Sequence, residues 1–423
     1  MKIILLNQTF YPETLATSQQ LTDLALFLKK KGHEVTVLAD QRSYEERGRK
    51  FKPHEKWQEI EIHRVPSTGF GKGRIRYRLI DSATFMISLF WKMLFFPSQD
   101  LVISFTSPPL IGALGSLFCW AKGGRCVQWL MDINPDAAFQ VGYLNRKSLL
   151  GRFLNFVFEV TLKNASEVVV LDRWMKHRVI EHGAQKDRVV IVPPWAVFEE
   201  DDQGIEKAVC DFKREHGLEN KFVILYSGNH SVVHPLDTLL EAARELKSHD
   251  EIVFLFVGAG LRTRDVAEFK KKHAIANIIQ LPLQPREKVK ASFGSANLHC
   301  VIMGPGMSGL VHTSKIYSVL ASGKPFVFVG NPKSHVGDLS RTHTLGSIVE
   351  TGEVRSLAEM ILETQKLSPA DQEQIKNRSR EIVRSYAPEI TLNNFYESVI
   401  ENSTQTNEEA LALTASEPIT DES

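Results

Sequence analysis

Cysteine is scarce in this chain. Only Cys119, Cys126, Cys210 and Cys300 stand among its 423 residues. None forms a CxxC pair and none sits beside histidines at zinc-ligand spacing, so neither a disulfide scaffold nor a zinc-held domain is expected. Three of the four lie in apolar or amphipathic stretches, where a free thiol packs as a small hydrophobe, as suits a reducing cytoplasm. Charge of one sign is lacking too. A formal net charge of +1 gives no global attraction to a phosphate backbone, and no nucleic-acid partner is expected. Long apolar runs are missing: residues 84–96 are interrupted by Lys92 and residues 108–121 end at Lys122, both short of the roughly 20 residues a membrane-spanning helix needs. The opening MKIILLNQTFYP stays apolar for four residues and reaches Asn7 without a small-residue cleavage site, which is not the pattern of a secretory signal. The short echo of the dinucleotide fingerprint at Gly258-Ala-Gly260 lacks its third glycine.

What is present is a balance of 43% hydrophobic and 24% charged residues, that of a soluble globular protein, in a chain long enough for two domains. Residues 2–6 read as a buried parallel strand, residues 18–31 as a helix with Leu21, Leu24, Ala25 and Leu28 on one face and Gly32 at its end, and residues 34–39 as the next strand. This is a βαβ unit. Strands at 100–104, 125–131, 167–171 and 189–192 and helices at 109–122 and 149–163 continue the alternation until the periodicity stops between Pro193 and Asp202. A second alternation follows, with strands at 222–226, 252–257, 278–281, 298–302 and 325–329 and helices at 235–247, 266–273, 286–293, 314–321, 357–366 and 370–386. The expected architecture is α/β with two Rossmann-like domains, residues 1–195 and 196–401. A helix near the C-terminus is expected to return toward the first domain, ahead of an acidic, aromatic-free tail, residues 402–423, with the composition of disorder.

Ligands of open α/β sheets bind outside the carboxyl ends of the strands. Two such junctions in the second half precede helix starts, where unpaired N–H groups attract phosphate. One is the loop 227–234, with Gly228, Asn229, His230 and His234; the other is the segment 303–315, with Gly306, Gly309, His312 and Ser314. Lys315 opens the helix that follows and reads either as a counter-charge for a diphosphate or as a solvated surface charge. In the first half, Asp132 follows a buried strand. It reads either as a carboxylate that orients a sugar hydroxyl or as a cap for the following turn, with Asn134 and Asp136.

The chain resembles the retaining GT-B glycosyltransferases of the GT4 type, especially the bacterial colanic-acid and capsule branch labelled WcaI-like. The resemblance spans nearly all of residues 1–400. It rests on Phe10-Tyr-Pro12, Lys31-Gly-His-Glu-Val-Thr-Val37, Thr106-Ser-Pro-Pro109, Met131-Asp-Ile-Asn-Pro-Asp136 and Val192-Pro-Pro-Trp195 in the first half. In the second it rests on Tyr226-Ser-Gly-Asn229, Leu255-Phe-Val-Gly-Ala-Gly260, Ser314-Lys-Ile-Tyr and Leu320-Ala-Ser-Gly-Lys-Pro325. It implies a nucleoside-diphosphate-sugar donor held by the second half and a glycan or polyprenyl-linked acceptor held by the first. It also implies transfer with retention and without a metal or other cofactor. Asp132 and Lys315 would act in catalysis, and the glycines, Asn229, the histidines, Ser314 and Ser318 would line the donor site.

The departures from the family pattern are specific. Where many members carry an Arg and a Lys after the first strand of the second half, this chain has Asn229 and His234. Where many carry two Glu residues eight positions apart, it has Leu310 and Ser318. His230, His234, His312 and Lys315 are the expected replacement donors to phosphate. The departures keep a catalytically silent sugar-nucleotide-binding homologue open as an alternative. A sugar-nucleotide epimerase of the same fold is a further alternative, although it needs a carboxylate pair that the sequence does not display. The basic run Lys72, Arg74, Arg76 and Arg78 precedes Phe85, Leu89, Phe90, Trp91, Leu94 and Phe95. Residues 72–96 are therefore expected to lie on the cytoplasmic face of a membrane, the other reading being an internal helix with a solvated basic lead-in.

Overall fold

The computed structural model describes residues 1–46, 48–71, 75–195 and 204–401. Lys72, Arg74, the expected domain-boundary residues 196–202 and the tail 402–423 lie outside the described residues. The first sheet takes strands β1 (Lys2–Leu6), β2 (Glu34–Asp40), β3 (His54–Trp57), β4 (Ile60–Val65), β5 (Leu101–Ser104), β6 (Arg125–Trp129), β7 (Glu167–Val170) and β8 (Val189–Ile191), in the order β3-β4-β2-β1-β5-β6-β7-β8. All pairs are parallel except the edge pair β3–β4. The second sheet takes β9 (Phe222–Asn229), β10 (Ile252–Ala259), β11 (Ile278–Leu281), β12 (Leu298–Ile302), β13 (Phe326–Val329) and β14 (Ser347–Val349), all parallel, in the order β11-β10-β9-β12-β13-β14. The central strands are continuous apolar runs because helices cover both sheet faces, so inward and outward side chains are equally dry. Ile3, Ile4, Leu5 and Leu6 are all fully buried.

Helix Ala16–Lys30 buries Leu21, Leu24, Ala25 and Leu28 against the first sheet, a spacing that makes one face of a 3.6-residue period. Helix Leu149–Lys163 starts at Ser148, whose hydroxyl accepts from Gly151 N–H. Each sheet reverses its direction of growth once, between β1 and β5 in the first domain and between β9 and β12 in the second. Those reversals leave crevices at the strand carboxyl ends, the positions at which such sheets bind ligands.

The chain does not end in the domain it last built. After helix Pro369–Arg384, which contributes Ile382 and Val383 to a second-domain core, helix Pro388–Phe395 and the π-helical segment Tyr396–Glu401 cross back. Leu392, Phe395, Val399 and Ile400 are buried in the first-domain core. The Phe395 ring stacks on Trp129 at 4.6 Å between centroids, and Tyr396 meets His33 through its hydroxyl at 3.0 Å. Arg125 donates to the Val399 carbonyl and to Glu167. At the interdomain crossing, Trp195 Nε1 donates to Asp23 on helix Ala16–Lys30 at 2.8 Å. Residues 388–401 are therefore structural parts of the first domain.

Removing the Phe395 ring leaves a cavity against Trp129. Phe395→Ala is expected to lower unfolding stability by about 3–5 kcal/mol, whereas Tyr396→Phe, which removes one hydrogen bond, costs about 1 kcal/mol. Urea denaturation checks both, and equal midpoints for the two variants would contradict the packing role of Phe395.

Candidate functional site

The carboxyl ends of the two sheets face each other across a cavity of about 470 Å³. Its first-domain wall is the start of helix Ala16–Lys30 and the segment after β6; its second-domain wall is Asn229, Val233 and His234 after β9 and Val311, His312 and Ser314 after β12. The walls are joined by backbone. Asp132 and Val311 form an antiparallel bridge, and Ile133 N–H donates to Leu310 O at 2.8 Å.

Asp132 stands at this junction, half-buried, and its carboxylate has no hydrogen-bond partner among the described residues. Burial raises its pKa to about 6, with nearby His312 acting in the opposite direction. The capping role open to it in the sequence is not the one it takes. The structural carboxylate of this segment is Asp136, bonded to Arg146 at 2.6 Å and His182 at 2.9 Å. A raised, uncommitted carboxylate in a cleft is a functional signal.

Lys315 is the first residue of helix Lys315–Ser322 and makes no salt bridge among the described residues. The residue is exposed as a whole, while desolvation of its amine lowers its pKa. It lies beside Gly228, where an added Cβ would come 3.8 Å from the lysine Cε. A cation without a counter-ion at a helix N-terminus can receive an anion. Ser314, just before it, lines the cavity and makes no side-chain cap bond.

The histidines divide by role. His234 Nδ1 lies 2.9 Å from the Ile302 carbonyl. A carbonyl only accepts, so Nδ1 carries the proton. Burial and Lys315 lower the His234 pKa, leaving a neutral ring whose Nε2 is an acceptor. His234 thus suits a sugar hydroxyl and does not replace a phosphate-binding donor. His230 is fully buried behind the loop. Its Nδ1 is 3.3 Å from Thr263 Oγ1, its Nε2 has no partner, and burial lowers its pKa. His312 has both nitrogens engaged, Nδ1 with Asp172 at 2.7 Å and Nε2 with the Tyr317 hydroxyl at 3.1 Å. Of the four expected replacement donors, Lys315 alone combines exposure with the lack of a salt bridge among the described residues, and it directly follows Ser314 of the cavity wall.

The remaining residues fall outside the cavity. Gly306 and Gly309, each with φ +73°, turn toward the first domain. An added Cβ would meet the Gln140 side chain at Gly306 and, at 2.7 Å, the Trp174 carbonyl oxygen at Gly309. They serve interdomain contact. Ser318 is exposed on helix Lys315–Ser322. Leu310, where the family pattern has a Glu, is buried within the first-domain core. Among the described residues, Asp172, His312 and His335 form a cluster whose potential ligand atoms lie within 4.8 Å of one another.

A second, polar cavity of about 330 Å³ sits at the reversal between β1 and β5, lined among others by Gln8, Asp40, Arg78 and Ser107. Asp40, buried and raised in pKa by that burial, accepts from Gln8 Nε2 at 3.1 Å and Ser67 Oγ at 2.9 Å. The signal of this cavity in the sequence is an acidic residue, Asp40, directly after the apolar run Val37-Leu-Ala39.

The glycosyl transferase 4-like domain family matches residues 17–195. The chain is 25% identical over 366 residues to a colanic acid biosynthesis glycosyl transferase, WcaI, of Escherichia coli (strain K12), covering 81% of this chain and 86% of that protein. It is 26% identical over 241 residues to the glycosyltransferase WbjE of Pseudomonas aeruginosa, covering 54% and 57%. Among solved structures, Anabaena HepE in complex with UDP-glucose superposes with a TM-score of 0.69 at 13% identity over 94% of this chain and 99% of that one. WaaG, a glycosyltransferase involved in lipopolysaccharide biosynthesis, gives 0.68 at 15% over 92% and 98%. At such identities the structural likeness speaks for the fold, which is GT-B. The chain thus has two parallel-sheet domains facing across a cleft, its residues 17–195 match the glycosyl transferase 4-like domain, and over most of its length it is similar to WcaI-like glycosyltransferases.

Proposed function

We propose that the protein transfers a hexosyl group from a nucleoside-diphosphate sugar to a lipid-linked glycan in cell-surface polysaccharide synthesis, with retention and without a metal. One observation carries this reading: the uncommitted Asp132 lies in one wall of a cleft whose other wall carries Asn229, His234 and Ser314, the last directly before Lys315, which makes no salt bridge among the described residues. HepE is described with UDP and UDP-glucose, and WcaI is named for colanic acid biosynthesis; both support a sugar-nucleotide donor and a polysaccharide product. Lys315 and the adjacent helix N–H groups would stabilise the departing diphosphate, a task of positioned charge. His234 Nε2 and Asn229 would hold hydroxyls of the donor. Asp132 would accept a hydrogen bond from the acceptor or donor sugar hydroxyl.

Membrane contact is proposed at the first domain. Helices Ile75–Leu94, Ile111–Lys122 and Leu149–Lys163 are neighbours there. Their outer side exposes Trp91, Phe95 (80%), Trp120 (84%), Phe153 and Phe156, with Arg76, Arg78, Lys147 and Arg152 nearby in sequence and exposed. Phe85 and Leu89 do not belong to that side. Both are fully buried beneath the first sheet, because the 3.6-residue period turns them inward. No helix is long and apolar enough to cross a membrane among the described residues, so the contact would be peripheral.

Lys315→Ala is expected to weaken UDP binding about tenfold, the loss of one charge-assisted contact; titration calorimetry with unchanged affinity would remove Lys315 from the site. Asp132→Asn is expected to reduce turnover, found by screening a nucleotide-sugar panel, while the melting temperature holds or rises at pH 7.5. The sign follows from the raised pKa: burial disfavours the ionised form, so the carboxylate destabilises the fold at pH values above its unfolded pKa. Wild-type turnover is expected to fall as pH drops through about 6, and a flat profile between pH 5 and 7.5 would contradict an ionised Asp132 in the reaction. Phe153→Ser with Phe156→Ser is expected to abolish co-sedimentation with anionic liposomes, and Arg76→Gln with Arg78→Gln to weaken it and leave the remainder less salt-sensitive. Equal partitioning of wild type and variants would mean that this side does not meet lipid.

A further inference from the structure

Three consecutive residues of the first domain grip the second. Asp172 precedes helix Arg173–Glu181 and caps it, its Oδ1 accepting from Trp174 N–H and Met175 N–H at 2.8 Å each. Its other oxygen, Oδ2, accepts from His312 Nδ1 at 2.7 Å. Arg173 reaches Asp338 with two bonds of 2.5 and 2.7 Å, and Trp174 Nε1 donates to the same carboxylate at 2.8 Å. Gly309 leaves room for the Trp174 backbone.

The His312 bond does more than join two surfaces. The Tyr317 hydroxyl lies 3.1 Å from His312 Nε2 and 3.1 Å from His335 Nε2. One proton arrangement satisfies the whole chain: His312 Nδ1–H to Asp172, Tyr317 O–H to His312 Nε2, and His335 Nε2–H to the Tyr317 oxygen. Tyr317 lies on helix Lys315–Ser322, two residues past Lys315, and His335 begins helix His335–His343. The His312 side chain is wholly inaccessible, so the bond is shielded from water, unlike that of the exposed Arg173. Asp172 keeps its two cap bonds whether or not His312 is present, which lets the interface open without orphaning the carboxylate.

We infer that His312 is a positioning residue: through Asp172 it locks the turn that leads into Lys315 against the first domain, so that the cleft wall formed by Val311, His312 and Ser314 meets Asp132 only while this clasp is made. The inference rests on the glycosyltransferase reading for what closure accomplishes; the clasp itself can be tested without turnover. Small-angle scattering of the full chain without ligand is the primary measurement. His312→Leu removes the donor. Asp172→Ser keeps a capping oxygen for helix Arg173–Glu181 but is too short to reach His312. His312→Asn restores an N–H near the Nδ1 position. The first two are expected to share an increased radius of gyration, and the third to return to the wild-type value.

UDP affinity, measured by calorimetry, is expected to stay within about twofold in all three, because the nucleotide would contact the second domain. With a donor that is turned over, His312→Leu is expected to lower kcat about tenfold or more at nearly constant donor KM, the signature of lost alignment. An unchanged radius in both His312→Leu and Asp172→Ser would overturn the clasp. A folded His312→Asn that fails to close would do so as well, as would UDP affinity falling in step with the radius, since that marks a local disturbance of the second domain. Should His312→Leu not fold, Asp172→Ser decides alone. Failure of the wild type to bind UDP would count against the proposed function and leave the scattering result standing.

Discussion

The antiparallel bridge between Asp132 and Val311 is the constraint on which the site depends. It fastens the segment leaving β6 in one sheet to the segment leaving β12 in the other, and so sets the width of the cleft. Backbone pairing of this kind is directional and tolerates little displacement. The residues on either side follow from it. Ile133 enters the first-domain core and Leu310 joins it from the second domain, while Asp132 and His312 are left at the cavity wall. The hydrogen bonds of Asp172, Arg173 and Trp174 brace the same closure from a neighbouring strand end.

Closure of this kind also accounts for the departure at position 310. A Glu there would place a carboxylate within an apolar core, a cost of several kcal/mol without a paired charge. Leu310 instead stabilises the closed arrangement by burial. The uncommitted charged groups of this region are Asp132, raised toward pH 6, and Lys315, lowered, both by desolvation. Desolvation also strengthens any interaction these groups make with a bound sugar nucleotide.

The return of residues 388–401 to the first domain ties the two bodies a second time. The connection near Trp195 and the Phe395–Trp129 stack lie on the same side of the first core, with Trp195 and Trp129 meeting edge to face at 6.3 Å. A two-point attachment of this sort favours hinge motion over independent tumbling, because both crossings must bend together.

The apolar runs at β1, β5, β9, β10, β12 and β13 were legible in the sequence because strands buried on both faces are dominated by apolar residues, with isolated exceptions such as Ser104 and His299. The βα alternation then dictated two parallel sheets. Gly228, Asn229 and Lys315 were visible as residues at strand-to-helix junctions, whose chemistry is local. Strands β3 and β4 were not legible. His54–Trp57 is an edge strand, and Ile60–Val65 interleaves charged residues between its apolar ones, so neither has the apolar continuity that marks the centre of the sheet. Which glycines serve a ligand was undecided as well. Gly306 and Gly309 share the spacing of a phosphate loop, but their open sides meet the other domain. The histidines show the same limit. A sequence displays a ring that can donate or accept, whereas the neighbour at Nδ1 decides: the Ile302 carbonyl makes His234 an acceptor toward the cleft, and Asp172, 140 residues away in the chain, commits His312 to the interface. Local propensity and burial pattern determine the elements; the protonation and direction of a polar group depend on partners that only folding brings near.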